Sequence, residues 1–340
     1  MIVKDELLSD WCARALHVEA AVGGVVLGLG AAIRLINIAI FARGHVLLEG
    51  DVGVGKTLLL RAFARAIGGA FSRIEGTVDL LPADLLYYTY IGEDGRPHVD
   101  PGPLVRDAER LSILFFNEIN RARPQVHSVL LRVMAERSVS AFNREFRFPH
   151  LTVFADRNRV EKEETFEISS AAKDRFMMEI PIEAPGGESD QLALMFDPAY
   201  HDMEALLGRV PEALVDFRTL GEIGAMIQRA VRAGEALRRY ALRLWHTIAH
   251  PSEHGIRIDG VDTAALIVAG ASPRGMSLAM RAARVNAWLA GRDYVEPGDV
   301  HAVLFETVAH RIFFDPVYEL RRASIVRELF ALAAARVPAP

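Results

Sequence analysis

The 340-residue sequence is very poor in cysteine, since Cys12 is its only one. A single thiol excludes an intrachain disulfide, and this favours a reducing compartment, the cytoplasm. The sequence also lacks an excess of charge of one sign, because 39 basic residues stand against 44 acidic ones and the net charge is −5. From that balance we expect no global electrostatic attraction to nucleic acid or to an anionic membrane.

Long apolar runs are scarce as well. One run, AAVGGVVLGLGAAI from Ala20 to Ile33, is uncharged until Arg34. A helix that spans a bilayer needs about 20 apolar residues, and the glycines in this run weaken a helix. Asp5 and Glu6 precede the run, which argues against a secretory signal peptide. We therefore interpret it as buried core and predict no membrane span.

The order of apolar patterns predicts two architectures in one chain. Up to about Pro185, short β-prone runs alternate with helical patterns, as in a wound α/β sheet. After Ala184–Asp190, residues rich in Ala, Leu and Arg recur at helical spacing, which predicts helices alone. We expect an N-terminal helical segment (1–40), an α/β domain (41–186) with a five-stranded parallel sheet, and a helical domain (187–340). The candidate strands begin at His45, Phe71, Ser112, Leu151 and Phe176. Two hairpins are expected around Asp94-Gly95 and Asn143-Arg144.

The segment EGDVGVGKT, Glu49 to Thr57, lies between an apolar strand pattern and an amphipathic helix pattern. In that context G-x-x-x-x-G-K-[ST] is a strong signal for a phosphate-binding loop. Glycines let backbone N–H groups curl around phosphate oxygens, and the helix N-terminus adds partial positive charge. The lysine reaches the β- and γ-phosphates, and the threonine hydroxyl binds magnesium. The predicted nucleotide-binding residues are Gly50, Asp51, Val52, Gly53, Val54, Gly55, Lys56, Thr57 and Leu58.

The apolar strand SILFFNE, about 60 residues further on, ends in Asn117 and Glu118. Glu118 is the candidate for polarising an attacking water, with Lys56 as its catalytic companion. Asn117 stands where an aspartate normally holds magnesium through water. Its amide oxygen can accept a hydrogen bond from Thr57 or from a metal-bound water, but it carries no charge. We therefore expect ATP and Mg²⁺ as cofactors, a metal site at Thr57 and Asn117, and hydrolysis that is slow or needs much magnesium.

Together these motifs resemble the MoxR family of AAA+ ATPases over nearly the whole chain, from Gly28 to Asp315. The matching segments are ARGHVLLEG, DLLPADLL, PGPL, NEINRARPQVHSVLLRVMAERSV and GASPRG, of which the last two are the most specific. The resemblance implies an α/β AAA+ P-loop NTPase core with β-hairpin insertions and a C-terminal all-helical lid. The Asn-Glu pair, YIGEDGRP and FADRNRVEKEETFE are similar to the founding subgroup, which is linked to methanol dehydrogenase maturation in methylotrophic bacteria.

The resemblance also implies roles for three more residues. Asn158 matches the sensor-1 asparagine that helps to place the attacking water, and Arg159 follows it where the family usually has proline. Arg175 matches the arginine finger, which reaches the γ-phosphate of a neighbouring subunit. Arg274 in GASPRG matches the sensor-2 arginine of the helical lid. Taken singly, each has an ordinary explanation as a strand end, a surface ion pair or a helix start.

The partners implied by the resemblance are copies of the same chain in a ring, with six subunits expected, a protein with a von Willebrand A-like domain, and a metalloenzyme client. The client that the resemblance implies is methanol dehydrogenase, activated by calcium insertion; it is periplasmic, so a cytoplasmic motor would need an intermediary. Two other interpretations stay open. One is a nucleotide switch that scarcely hydrolyses ATP, which Asn117 favours. The other is a nucleic-acid remodeller, which the net acidity disfavours.

Overall fold

A computed structural model describes residues 2–158 and 166–340, so Arg159, which stands where the family usually has proline, lies outside the described residues. The chain divides into two compact units, the first ending at Ile223 and the second beginning at Gly224. The predicted domain boundary at 186–187 stays a prediction.

The strands are β1 (His45–Glu49), β2 (Ala70–Glu75), β3 (Tyr87–Ile91), β4 (Pro97–Pro101), β5 (Leu111–Asn117), β6 (Ser138–Ala141), β7 (Arg144–Arg147), β8 (Thr152–Arg157), β9 (Phe176–Pro181), β10 (Ile267–Ala269) and β11 (Phe313–Phe314). The helices are α1 (Ile2–Gly23), α2 (Gly30–Phe41), α3 (Lys56–Ile67), α4 (Pro124–Glu136), α5 (Ser170–Lys173), α6 (Glu188–Phe196), α7 (Met203–Gly208), α8 (Leu220–Ala230), α9 (Glu235–Ala249), α10 (Pro273–Leu289), α11 (Pro297–Val308) and α12 (Arg322–Arg336).

The central sheet of the first unit has five strands in the order β2-β5-β8-β1-β9. Every adjacent pair is parallel, which confirms the predicted sheet and its five strands. In β5, all residues from Leu111 to Phe116 are buried, as expected for a parallel strand that is covered on both faces. The carboxyl ends of the strands share one edge, and at that edge β8 lies between β5 and β1.

The helices that begin the chain pack as core, as the sequence predicts. Helix α1 packs against α2 and α3, and α2 contacts β1 and β9. In the apolar run between Ala20 and Ile33, the buried side chains are Val22, Val25, Val26, Leu29, Ala32 and Ile33. Among the residues described, no helix combines the length and the apolar character needed to cross a bilayer.

Two antiparallel hairpins are inserted into the first unit. Strands β3 and β4 pair on either side of a turn at Asp94-Gly95, as predicted. Strands β6 and β7 pair with Ala141 opposite Arg144, so their two-residue turn is Phe142-Asn143, one residue earlier than predicted. Both turn residues have positive φ, at 53° and 56°, which is the conformation that a tight hairpin of this kind requires. The Phe142 ring lies 5.1 Å from that of Tyr87, so the hairpins touch.

The second unit is built mainly from helices, with α10 packed against α11 and α9 against α12. It also contains the two-stranded antiparallel ribbon of β10 and β11, which the sequence pattern did not predict. Helix α9 buries Leu237, Tyr240 and Leu244 and exposes Arg239 and Arg243. Its arginines therefore lie on the outer face of an ordinary amphipathic helix.

Candidate nucleotide-binding site

The phosphate loop joins β1 to α3 at the carboxyl edge of the sheet. Gly50 passes so close to Ile182, the residue that follows β9, that a Cβ on Gly50 would lie 2.2 Å from the Ile182 carbonyl oxygen. Gly53 and Gly55 have φ of +85° and +88°, the left-handed region that favours glycine. A Cβ added at either would meet no heavy atom within 4 Å, so the concave side of the loop is open. The loop is thus shaped to accept phosphate at the N-terminus of α3.

Lys56 is the first residue of α3, and its side chain is only 9% exposed. The ammonium Nζ donates a hydrogen bond to the Gly50 carbonyl oxygen at 2.7 Å. It also forms an ion pair with the Asp156 carboxylate, at 2.5 Å from Oδ2. The lysine ammonium is therefore bound by groups of the protein itself, the first residue of the loop and a residue of β8.

Asp156 is the site residue that sequence analysis missed. It lies near the end of β8, its side chain is 1% exposed, and its Oδ1 accepts the backbone N–H of Glu118 at 2.5 Å. One carboxylate thus connects the phosphate loop to the end of β5. The signal was present, because LTVFAD is an apolar strand that ends in an acid, just as SILFFN ends in an amide. The strand order that brings this acid to Lys56 was not visible in the sequence.

Glu118 follows β5 in a left-handed conformation, with φ 54° and ψ 51°. For a residue other than glycine this conformation costs about 1–2 kcal/mol, and such strain is typical of functional sites. A Cβ on Gly76 would lie 2.1 Å from the Glu118 carbonyl oxygen, so glycine is required there. The Glu118 carboxylate forms an ion pair with Arg121, Oε2 to Nη1 at 3.2 Å.

A buried histidine supports the same turn from α4. The Nε2–H group of His127 donates to the Ile119 carbonyl oxygen at 2.7 Å. Burial lowers the pKa of His127 below its ordinary value, while the bond to Ile119 opposes that shift. The ring is therefore neutral near pH 7, and its N–H fixes the backbone immediately after Glu118.

Asn117 ends β5, and its amide nitrogen donates to Glu75 Oε2 at 2.7 Å. Glu75 ends β2, on the side of β5 that faces away from β1, and it also pairs with Arg73 at 2.5 Å. The amide nitrogen is thus committed to β2, which leaves the amide oxygen as the atom able to accept a bond from a metal-bound water.

Asn158 directly follows β8, two residues beyond Asp156, and is half-buried. Between them, Arg157 forms ion pairs with Glu49 of β1 and Glu179 of β9, at 3.1 and 2.5 Å. These pairs tie the carboxyl ends of three strands together. Asn158 therefore lies at the edge of the sheet where the phosphate loop begins, as its predicted role requires.

Within the first unit, Arg175 lies away from this cluster. Arg175 immediately precedes β9, whose first residue Phe176 is in register with His45, the first residue of β1. The phosphate loop begins at the other end of β1, about 16 Å away at 3.3 Å per residue. The Arg175 guanidinium donates to the Ala171 carbonyl oxygen at 2.9 Å. Arg274 belongs to the second unit, where it is exposed in the first turn of α10.

Comparisons with known proteins agree with this geometry. Residues 45–178 match the model of the ATPase family associated with various cellular activities (AAA), and residues 262–329 match the AAA lid domain. A protein named MoxR from Methylorubrum extorquens is 56% identical over 99% of this chain and 98% of its own length. The chain belongs to the MoxR family of AAA+ ATPases.

Other MoxR-family proteins are similar along most of their length. A protein named MoxR from Paracoccus denitrificans is 54% identical over 99% of both chains. A protein named Chaperone MoxR1 from Mycobacterium tuberculosis is 33% identical over 85% of this chain and 72% of its own. A solved protein from Cytophaga hutchinsonii, provisionally assigned as an ATPase, is 29% identical and superposes with a TM-score of 0.84 over 99% of this chain and 97% of its own. The predicted α/β AAA+ fold with a helical lid is confirmed.

Proposed function

We propose that this MoxR-family ATPase hydrolyses ATP with Mg²⁺ and uses the cycle to remodel a client protein, as a chaperone does. The observation that supports this most is the chain of contacts from the open glycine loop through Lys56 and Asp156 to Glu118. The donor set fits a magnesium-bound triphosphate, because it combines an open N–H cradle, an amine, the Thr57 hydroxyl and carboxylates at one edge. When bound, Mg²⁺ neutralises charge on the β- and γ-phosphates.

In the proposed reaction the oxygen of a water attacks the γ-phosphorus, the bond to the bridging oxygen breaks and ADP leaves. Glu118 accepts the proton of that water, and Asn158 fixes the water's position. Lys56 leaves Asp156 and binds the phosphates. We propose that turnover is slow, because this exchange breaks a buried ion pair and because Asn117 offers no charge of its own. Contact of Glu118 with Arg121 would hold the carboxylate away from water until that pair opens.

We further propose that the active form is a ring, with six subunits. A single chain places Arg175 about 16 Å from its own phosphate loop, measured along the register of β1 and β9. A guanidinium that stabilises the γ-phosphate would therefore come from another copy, as in an arginine finger. Arg274 of the lid would provide a second positive charge at the nucleotide.

The proposed client is a metalloenzyme, with methanol dehydrogenase and calcium insertion as the leading candidate, and a von Willebrand A-like protein as the adaptor. The motivation for this client is the similarity of the Asn-Glu pair and of YIGEDGRP to the founding subgroup of the family. The single cysteine and the need for ATP favour the cytoplasm, so an intermediary would carry the effect to a periplasmic enzyme.

The test is phosphate release by the purified wild-type protein and by Glu118→Gln, with ATP affinity measured by calorimetry. We expect Glu118→Gln to lower turnover by about 10²–10⁴-fold with ATP affinity preserved, since it loses a catalytic base. Equal turnover in the two proteins would refute the enzyme assignment. The second candidate, a nucleotide switch, is favoured by Asn117. It would be supported if ATP binds and drives assembly while a client leaves turnover near zero.

A further inference from the structure

Asp156 is a buried carboxylate with two polar partners, and both partners belong to the nucleotide site. Its Oδ2 lies 2.5 Å from Lys56 Nζ, and its Oδ1 accepts the Glu118 N–H at 2.5 Å. Burying a carboxylate costs several kcal/mol unless it is paired and hydrogen-bonded. Asp156 is therefore held in place by the groups that surround the substrate.

Other acidic side chains at this edge have cations of their own. Glu49 pairs with Arg157 at 3.1 Å, Glu75 with Arg73 at 2.5 Å, and Glu118 with Arg121 at 3.2 Å. Asp156 differs because its cation is Lys56, the lysine that the proposed function assigns to the phosphates. When Lys56 moves to the phosphates, Asp156 keeps a full negative charge beside the first turn of α3, where Thr57 lies.

Position 117, the last residue of β5, carries no such charge. Asn117 is neutral, and its amide nitrogen is bonded to Glu75 on the side away from β1. Strand β8 lies between β5 and β1, so its terminal acid is one strand nearer to the phosphate loop. Carboxylate oxygens that accept hydrogen bonds from coordinated water are the usual protein partners of Mg²⁺.

We propose that Asp156 supplies the carboxylate that holds hydrated magnesium beside Thr57, in place of the charge missing at position 117. This inference rests on the proposed function, because it requires ATP and Mg²⁺ to bind at the phosphate loop. It assigns a metal-holding role to β8, and it leaves Asn117 as a neutral neighbour that contributes at most its amide oxygen.

The experiment measures the dissociation constant of ATP by calorimetry, once with excess Mg²⁺ and once with EDTA. The ratio used below is the dissociation constant in EDTA divided by the dissociation constant with Mg²⁺, so a larger ratio means that magnesium strengthens ATP binding more. We expect Asp156→Asn to lower the ratio about tenfold or more, since loss of a partner of coordinated groups typically weakens metal binding 10–100-fold. The double variant Asn117→Asp/Asp156→Asn has its carboxylate at position 117 instead of position 156, and this should restore the ratio. Glu109→Gln is the matched control, because this exposed acid lies just before β5, at the opposite end of the sheet. An unchanged ratio in Asp156→Asn overturns the inference.

Circular dichroism shows whether Asp156→Asn is folded. The single variant Asn117→Asp is a second test, in which Asp156 and its buried contacts are kept. If Asp156 already holds the metal, a second carboxylate at 117 should raise the ratio less than threefold. A rise of tenfold or more would show that the metal lacked a carboxylate and would overturn the inference. The proposed function fails in a different way: the wild-type protein would bind no ATP with or without magnesium, and the inference would fall with it.

Discussion

Replacing Lys56 with methionine should destabilise the first unit even when no nucleotide is present. Methionine keeps most of the side-chain volume but removes Nζ, which lies 2.5 Å from Asp156 Oδ2 and 2.7 Å from the Gly50 oxygen. Asp156, 1% exposed, then keeps the Glu118 N–H but loses its cation. Removing one partner of a buried ion pair costs about 3–5 kcal/mol. For a unit of this size each kcal/mol lowers the unfolding temperature by about 2–4 °C, so we expect a fall of about 6–20 °C.

The assay is unfolding in urea and by heating, followed by circular dichroism, in buffer with EDTA and without nucleotide. The matched control is Lys56→Met/Asp156→Asn, in which the unpaired charge is also removed. Because its buried site is neutral, the double variant should recover most of the lost stability. The reasoning is refuted if Lys56→Met unfolds within 1 kcal/mol of the wild-type protein, or if the double variant is no more stable than the single one.

Three further predictions follow from the same geometry. Arg175→Ala should lower turnover by about 10³-fold or more with ATP affinity unchanged. Mixing it with Glu118→Gln subunits should restore phosphate release, because one variant supplies the Glu118 carboxylate and the other supplies the Arg175 guanidinium. No recovery on mixing would exclude action of Arg175 on a neighbouring subunit. Gly76→Ala should lower the free energy of unfolding, measured in urea, by about 1–3 kcal/mol and should slow turnover, since the added Cβ would lie 2.1 Å from the Glu118 carbonyl oxygen. The control is Gly186→Ala, whose added Cβ would meet no heavy atom within 4 Å, and it should change neither stability nor turnover. Burial lowers the pKa of His127 in the folded protein. As the pH falls through about 6.5, the histidine therefore binds a proton in the unfolded chain before it does so in the folded protein. The free energy of unfolding should therefore fall as the pH drops below about 6.5, and a His127→Gln variant that keeps the same slope would contradict this.

Much of the first unit was predictable, because its signals are local. Four of the five sheet strands are mainly apolar runs bounded by glycine or polar residues, and a buried parallel strand needs little more. The exception is the edge strand β2, which contains Ser72 and Arg73 and is largely unburied. Helices α3 and α4 begin at Lys56 and Pro124, as Gly55 and the proline in the first turn indicate. The phosphate loop is one contiguous motif, so its open glycine cradle also follows from the sequence.

What escaped prediction depends on pairing between distant segments. The ribbon of β10 and β11 consists of three and two residues, which is too short for a period of two to show. The turn of the second hairpin lies one residue earlier than predicted. Cross-strand register, with Ala141 opposite Arg144, decides which two residues form it. Neither register nor ribbon can be inferred from residue types alone.

Asp156 shows that the role of a carboxylate can depend on strand order more than on motif. Along the chain, Asn117 and Glu118 end the next buried strand after the phosphate loop, so a search by motif stops at β5. In the sheet, strands are about 4.8 Å apart, and β8 separates β5 from β1. From β8, Asp156 meets Lys56 directly, and Arg157 beside it points to Glu49 and Glu179 instead. Alternation along β8 thus selects one residue for the phosphate loop and the next for the neighbouring strand ends. If Asp156 holds the metal as proposed, a neutral residue at the end of β5 is compatible with catalysis, because a negative charge then lies one strand closer to the phosphate loop.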